Sequence, residues 1–226
     1  MNDTIDLKGA ILMYGTKENA PSYCTHHRAI IDSEGARLGE GVPLSINALE
    51  ELSRSLGQRV ISPLLHERVL AWGHDQLVWW LPSADRPIFF NTDDAFLKAR
   101  SGVVSYPSLI FKKSNRNWVV GAVKGKSRPC SGDRVYHAPF LNISEKGEIC
   151  WGTANLQNTS DGNPEPWEAV FVESRFTHSN FRNRRQIEHP GNIYKFWSDM
   201  LDGAFKTFPE SLLIESGLSV GDFIGR

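Results

Sequence analysis

The sequence predicts an α+β protein, and three observations carry that expectation. Short apolar runs bounded by turn residues fill the beginning and middle of the chain, as antiparallel strands require. Apolar residues at helical spacing occur near residues 45–57 and again in the last third. The order along the chain is strands, helix, meander, irregular segment, helices, which suits separate sheet and helix layers.

The opening reads as a strand pair, Gly9 to Tyr14 and Tyr23 to Ile31, separated by the turn-rich stretch Gly15 to Ser22. A helix is expected next. Ser45 can cap it, Ile46, Leu49, Leu52 and Leu56 form one apolar face, and Gly57 stops it. Val69 to Trp72 and Gln76 to Leu81 flank Gly73-His74-Asp75 as a hairpin. Pro87 to Phe90 reads as a short strand. Leu109 to Lys113 and Trp118 to Lys124 flank Ser114 to Asn117 as a second hairpin, and Arg134 to His137 adds another strand. Together these predict an antiparallel meander.

Further on, Pro164 and Glu165 suit a first helical turn, followed by Trp167, Val170 and Phe171 at helical spacing. A clearer helix is expected from about Ile193 to Ala204, with Ile193, Phe196, Trp197, Met200, Leu201 and Ala204 on one face. The tail from Phe208 to Arg226 has an apolar set near Leu212 to Ile214 but no strong period. The sequence has no internal repeat or low-complexity tract. Its length, 226 residues, suits a single domain, with 1–60 as an N-terminal elaboration and 65–205 as the core.

Composition narrows the function. Hydrophobic residues make up 40% and charged residues 23% of the chain, and the formal net charge is −1. A near-neutral chain without a large single-sign block argues against broad electrostatic binding to nucleic acid or membrane. Arg182, Arg184 and Arg185 form the densest basic stretch, and so short a run reads as a solvated surface. No basic segment followed by an apolar one opens the chain, and the run Leu77 to Leu81 is too short to span a bilayer, so the expected location is cytoplasmic. Three cysteines, Cys24, Cys130 and Cys150, should then be free thiols, each either a small core residue or a reactive one.

The segment with chemical promise runs from Tyr136 to Gly152. It holds Asn142, the turn residues Ser144, Lys146 and Gly147, and then Cys150 between Ile149 and Trp151. Taken alone, Cys150 reads first as a buried apolar residue, since cysteine is among the most buried types. Cys24 falls in a strand, and Cys130 follows Arg128-Pro129 in a turn-like stretch. His137 and His178 are candidates for proton handling, because histidine titrates near neutral pH. Both also read as surface or satisfied histidines. Cys24-Thr25-His26-His27 has no zinc-motif spacing and no second ligand pair, so no metal site is expected. Gly121 to Ser127 lacks the spacing of a phosphate-binding loop, so no nucleotide cofactor is expected.

Here a resemblance enters. Ubiquitin-conjugating enzymes carry His-Pro-Asn, a short turn with glycine, and then Ile-Cys, with asparagine and cysteine typically eight positions apart. Asn142 precedes Cys150 by that spacing, and Gly147 and Ile149 fall in the matching places. Ser105-Tyr106-Pro107 resembles the Tyr-Pro element of the same fold. Phe140-Leu141 stands where that family has His-Pro, and the N-terminal strands are extra to the minimal fold. More closely, the chain resembles the bacterial conjugating-enzyme-like family found as protein B of the PRTRC cassettes, and related proteins of bacterial antiphage operons that encode a ubiquitin-like protein. The matching pieces are Leu70 to Gly73, Leu77 to Trp80, Tyr106 to Leu109, Lys124-Gly125, Ala138 to Gly152 and Phe176 to His178.

The resemblance implies a ubiquitin-conjugating-enzyme-like fold, with the meander flanked by helices and an extra N-terminal strand pair and helix. It implies that Cys150 carries a ubiquitin-like protein as a thioester, received from a ThiF-like activating enzyme and passed to an amine on a target protein. A JAB-type deconjugating peptidase would be encoded nearby. ATP would be used by the separate activating enzyme. Transthiolation needs an accessible thiol that can ionise. A side-chain amide near the reacting carbonyl can donate to its developing charge, and losing such a donor typically costs about 3–4 kcal/mol of barrier. By resemblance Asn142 is that candidate. Its other reading is a brace for the loop. Two rival functions stay open: a non-catalytic module of the same fold that binds ubiquitin-like partners, and a cysteine hydrolase using a Cys–His pair.

Overall fold

The computed structural model describes residues 7–16, 23–33, 35–45, 48, 65–73, 76–114, 117–152, 162–182 and 184–225. The chain divides into two compact units, Met1–Pro63 and Leu64–Arg226. In the first, strands β1 (Gly9–Tyr14), β2 (Tyr23–Asp32) and β3 (Gly35–Pro43) form an antiparallel sheet in that order. The first two match the predicted strand pair. The third was not expected, because Gly35, Gly39 and Gly41 mask its period. One of those glycines has a packing reason: a Cβ on Gly41 would meet the His27 ring at 2.7 Å. That ring is engaged at both nitrogens, with Nδ1 2.8 Å from the Gly39 carbonyl and Nε2 2.8 Å from Thr25 Oγ1. The helix expected after Ser45 lies outside the described residues except for Ala48, whose amide donates to Ser45 Oγ at 3.2 Å.

The second unit is built on a six-stranded antiparallel sheet. Its strands are β4 (Val69–Trp72), β5 (Gln76–Leu81), β8 (Ser108–Ser114), β9 (Trp118–Val123), β10 (Arg134–His137) and β12 (Glu215–Ser219). Across the sheet they run β12-β10-β9-β8-β5-β4. Both predicted hairpins are present as strand pairs, with Gly73 N–H donating to Gln76 O and Ser114 N–H to Asn117 O. Their central turn residues, 74–75 and 115–116, lie outside the described set.

The predicted meander is interrupted after β5. At Pro82 the chain leaves the sheet to form β6 (Asp85–Phe90) and β7 (Ser101–Ser105), an antiparallel pair joined in parallel by β11 (Arg175–Phe176). β7 was missed because Ser101-Gly102 and Ser105 read as turn residues. Gly102 is there for packing: a Cβ would meet Leu201 Cδ2 at 2.7 Å.

Two helices supply the second layer. α1 (Glu165–Glu173) buries Trp167, Glu168 and Phe171, and the Asn163 carboxamide oxygen accepts from the Glu165 amide at 3.1 Å. α2 (Ile193–Leu201) is capped by Asn192, whose Oδ1 accepts from Lys195 N at 2.9 Å. It buries Ile193, Phe196, Trp197 and Met200, as predicted, and ends before the expected Ala204, with Gly203 at φ 77°. Strand alternation then divides the apolar residues between two clusters. Leu77, Trp79, Leu109 and Phe111 join the core that holds Trp167, Phe171, Phe196 and Trp197. Val78 and Ile110 join a second cluster with Val123, Val135, Val220 and Phe223. That second cluster explains the tail. A short 3-10 turn (Glu210–Leu212), β12 and a final helix α3 (Val220–Gly225) bring Val220 and Phe223 onto it. An element of six residues is too short to show a period in sequence.

The architecture is thus α+β and strand-rich. No described helix is long and apolar enough to cross a membrane.

The core also fixes the backbone that leads to Asn142. The Trp197 indole N–H donates to the Pro139 carbonyl at 2.7 Å, and buried Gln186 donates through Nε2 to Ala138 O at 2.9 Å and Phe140 O at 2.5 Å. Three successive carbonyls are therefore held by side chains that cannot move without opening the core. Replacing Trp197 with Phe removes one of these donors and leaves space beside a buried carbonyl. The variant is expected to lose about 3 kcal/mol of stability in urea denaturation.

Glu168 gives a second test. Arg68 NH2 lies 3.0 Å from its Oε2. Burial nonetheless raises its pKa from 4.5 to about 7, outweighing the pull of Arg68 and Arg86, with Glu165 adding to the rise. Between those values the folded protein binds more protons than the unfolded chain, so this group's contribution to stability falls as pH rises. Glu168→Gln is expected to gain stability relative to the parent on going from pH 5 to pH 8, measured by urea denaturation at each pH.

Candidate functional site

The loop from Asn142 to Cys150 follows the pinned Ala138-Pro139-Phe140 segment. Asn142 sits at φ 61°, a left-handed conformation that asparagine tolerates better than most residues. Gly147 sits at φ 83°, and a Cβ there would strike Val120 O at 2.7 Å, so both the turn and its close seat on β9 require glycine. The loop is stitched to the sheet by Val120 N to Gly147 O at 2.8 Å and Ile149 N to Trp118 O at 2.9 Å. It is closed on itself by Ser144 N to Glu148 O at 2.9 Å and Cys150 N to Asn142 O at 2.8 Å.

This geometry decides which way Cys150 faces. Ile149 and Trp151 pack against the core, Trp151 edge-on to Trp118 with ring centroids 5.2 Å apart. Cys150 between them is a free, exposed thiol. The reading of Cys150 as a buried apolar residue is therefore excluded. Cys130 is also exposed, in a turn where its amide donates to Asp133 Oδ2 at 2.7 Å, and Cys24 is half-buried on β2. Among the described residues, no group of three or more His, Cys, Asp or Glu side chains could hold a metal ion.

Asn142 and Cys150 open onto a cleft of about 540 Å³ that is also lined by Glu173, Arg175, Thr177 and His178. The last four come from the end of α1 and from the β11 segment. The two halves of the cleft are joined through the Asn142 side chain. Its Nδ2 donates to Arg175 O at 2.9 Å. Its Oδ1 accepts from Thr177 N at 3.0 Å, Thr177 Oγ1 at 2.8 Å and His178 N at 3.3 Å. The Asn142 amide N–H donates in turn to His178 O at 2.7 Å. The bracing bonds expected of this asparagine are thus present.

Of the two candidate histidines, His178 shares the cleft with Cys150. His137 does not: it lines a different cleft, of about 550 Å³, beside Glu145 and Gly147, with its ring edge-on to Phe181. Burial, then the Arg184 guanidinium, lower the His137 pKa against the opposing pull of Glu145. Arg182, Arg184 and Arg185 are exposed, as a solvated run should be. Tyr106 is fully buried, donates to Pro87 O at 2.9 Å, and has its pKa raised by burial. It supports the core under Phe140 rather than entering the cleft. Sequence reasoning did not single out Thr177, Arg175 or Glu173. Only the adjacency of Thr177 to His178 pointed that way.

Comparison with known families adds one finding. The family model of prokaryotic E2 family D matches residues 47–216. No curated protein and no solved structure matches the chain.

If the Asn142 carboxamide holds the two loops together, Asn142→Ala should strand Arg175 O and the Thr177 amide. The expected loss is about 2 kcal/mol in urea denaturation. Asn142→Asp keeps the acceptor oxygen and should lose less.

Proposed function

The chain belongs to prokaryotic E2 family D, and from that premise we propose that it is a conjugating enzyme that carries a ubiquitin-like protein as a thioester on Cys150. The observation that carries this reading is the exposed thiol at the end of a rigid loop, eight residues after Asn142 and beside an open cleft. A nucleophile that must meet a protein-sized donor needs to be accessible yet fixed, and loops on a rigid scaffold meet both demands. On this reading residues 64–226 are the conjugating-enzyme-like unit, with its six-stranded sheet and helices α1 to α3, and the preceding strands are an elaboration of it.

The reaction has two steps. Cys150 attacks the thioester on a ThiF-like activating enzyme, which has used ATP to form it, and displaces that enzyme's thiol. An amine on a target protein then attacks the carbonyl of the new thioester and releases Cys150. A JAB-type peptidase would reverse the product, and the resemblance to proteins of the PRTRC cassettes and of antiphage operons suggests either a plasmid-cassette role or antiphage defence as the setting.

The presence of His178 in the Cys150 cleft favours a second reading, a cysteine hydrolase, because a thiol and an imidazole suffice for acyl-enzyme hydrolysis.

The test is a non-reducing gel with intact mass after incubation with ATP, a ThiF-like activating enzyme and the ubiquitin-like protein that it charges. The expected result is a thiol-sensitive adduct that is absent in Cys150→Ala and thiol-resistant in Cys150→Ser. An activating enzyme that charges itself and passes nothing to this chain would overturn the proposal.

A further inference from the structure

Thr177 lies between two groups whose proton chemistry its single hydroxyl hydrogen must reconcile. On one side is Asn142 Oδ1 at 2.8 Å, and on the other His178 Nδ1 at 2.8 Å. The orientation of the Asn142 amide is set by backbone groups of fixed sense: Oδ1 accepts from the Thr177 and His178 amides, and Nδ2 donates to the Arg175 carbonyl. The atom facing the hydroxyl is therefore a carbonyl oxygen, which can only accept.

Two proton placements are conceivable. If the hydroxyl donates to His178 Nδ1, two oxygens face each other at 2.8 Å with lone pairs and no proton between them. If it donates to Asn142 Oδ1, each short contact holds one proton, provided that His178 Nδ1 carries a hydrogen and donates to Thr177 Oγ1. Only the second satisfies every group. Neutral His178 then keeps its free lone pair on Nε2. The ring belongs to the cleft that Cys150 opens onto.

We propose that Thr177 is a positioning residue that holds His178 in the Nδ1–H tautomer, so that Nε2 takes the proton of the amine attacking the Cys150 thioester; this rests on the conjugating reading above. The amine nitrogen bonds to the carbonyl carbon, the carbon–sulfur bond breaks, and Cys150 leaves as a thiolate. The surplus proton on nitrogen passes to His178 Nε2, and the imidazolium returns it to the sulfur or to water. No oxidant or further reactant is needed. Asn142 then serves the reaction through its oxygen, as the acceptor that turns the threonine hydroxyl around. Glu173 and Arg175 are the other charged side chains on this cleft, and Glu173 is the rival proton acceptor.

The test has two arms on the full chain. Histidine-ring 15N spectra, with His178 assigned by its loss in His178→Gln, should show the Nδ1–H tautomer. Thr177→Val should abolish that bias and Thr177→Ser should keep it. In the second arm, Cys150 is acylated by exchange with a short glycine-terminated peptide thioester, and discharge to free lysine is followed from pH 6 to pH 9. His178→Gln should slow discharge about a hundredfold and remove the pH inflection. Thr177→Val should slow it about tenfold at unchanged half-saturation by lysine, with Thr177→Ser restoring the rate.

An Nε2–H tautomer in the parent, or equal discharge in all variants, overturns the inference and leaves the conjugating reading intact. Loss of the inflection in Glu173→Gln instead of His178→Gln does the same. A parent Cys150 that accepts no acyl group removes the conjugating reading and the proton role with it, while the tautomer result still stands.

Discussion

The arrangement around Cys150 depends on one carboxamide. Asn142 reaches from the cysteine loop to the β11 segment and makes a donor contact and three acceptor contacts there. Each bond is worth little net, but each broken one would leave a polar group without its partner. The side chain can do this because its backbone adopts a left-handed turn at φ 61°, and because the preceding carbonyls are held by Trp197 and Gln186. The thiol is therefore placed by a chain of constraints that starts in the aromatic core and ends at the surface.

That chain explains why Phe140-Leu141 can precede Asn142. Phe140 is fully buried, tilted against Tyr106 and Trp197 with ring centroids 4.8 and 5.1 Å away. Leu141 is also fully buried. The stretch is anchored by packing and by carbonyl acceptors, so the loop needs no polar side chain at those two positions to hold its shape. On the conjugating reading, this anchoring would hold the acylated thiol in a fixed orientation for its acceptor.

Much of this was legible in the sequence. The strands with clear apolar runs, β1, β2, β4, β5, β8, β9 and β10, appear where the period placed them, as do α1 and α2. The missing elements have two causes. β3 and β7 carry glycines demanded by the His27 ring and by Leu201, which weaken the pattern that packing would otherwise write. β12 offers a single apolar side chain, Leu218, and α3 spans only six residues, too few for a helical period to emerge. The cleft was half legible. The resemblance to conjugating enzymes tied Asn142 to Cys150, and the chemistry of histidine singled out His178. The contact that joins the two segments, Thr177 to Asn142, spans 35 positions, and no local pattern reports it. His137 shows the converse: a histidine inside the informative segment that the fold turns toward another cleft.

The central claim is transfer to an amine, and a chase measures it most directly. The charged protein would be isolated away from ATP and the activating enzyme, mixed with free lysine, and followed by intact mass. The account predicts that the ubiquitin-like protein leaves Cys150 with the mass of an amide to lysine, at a rate that rises with lysine concentration. Release of the unmodified ubiquitin-like protein at a rate indifferent to lysine would contradict it and identify the chain as a hydrolase.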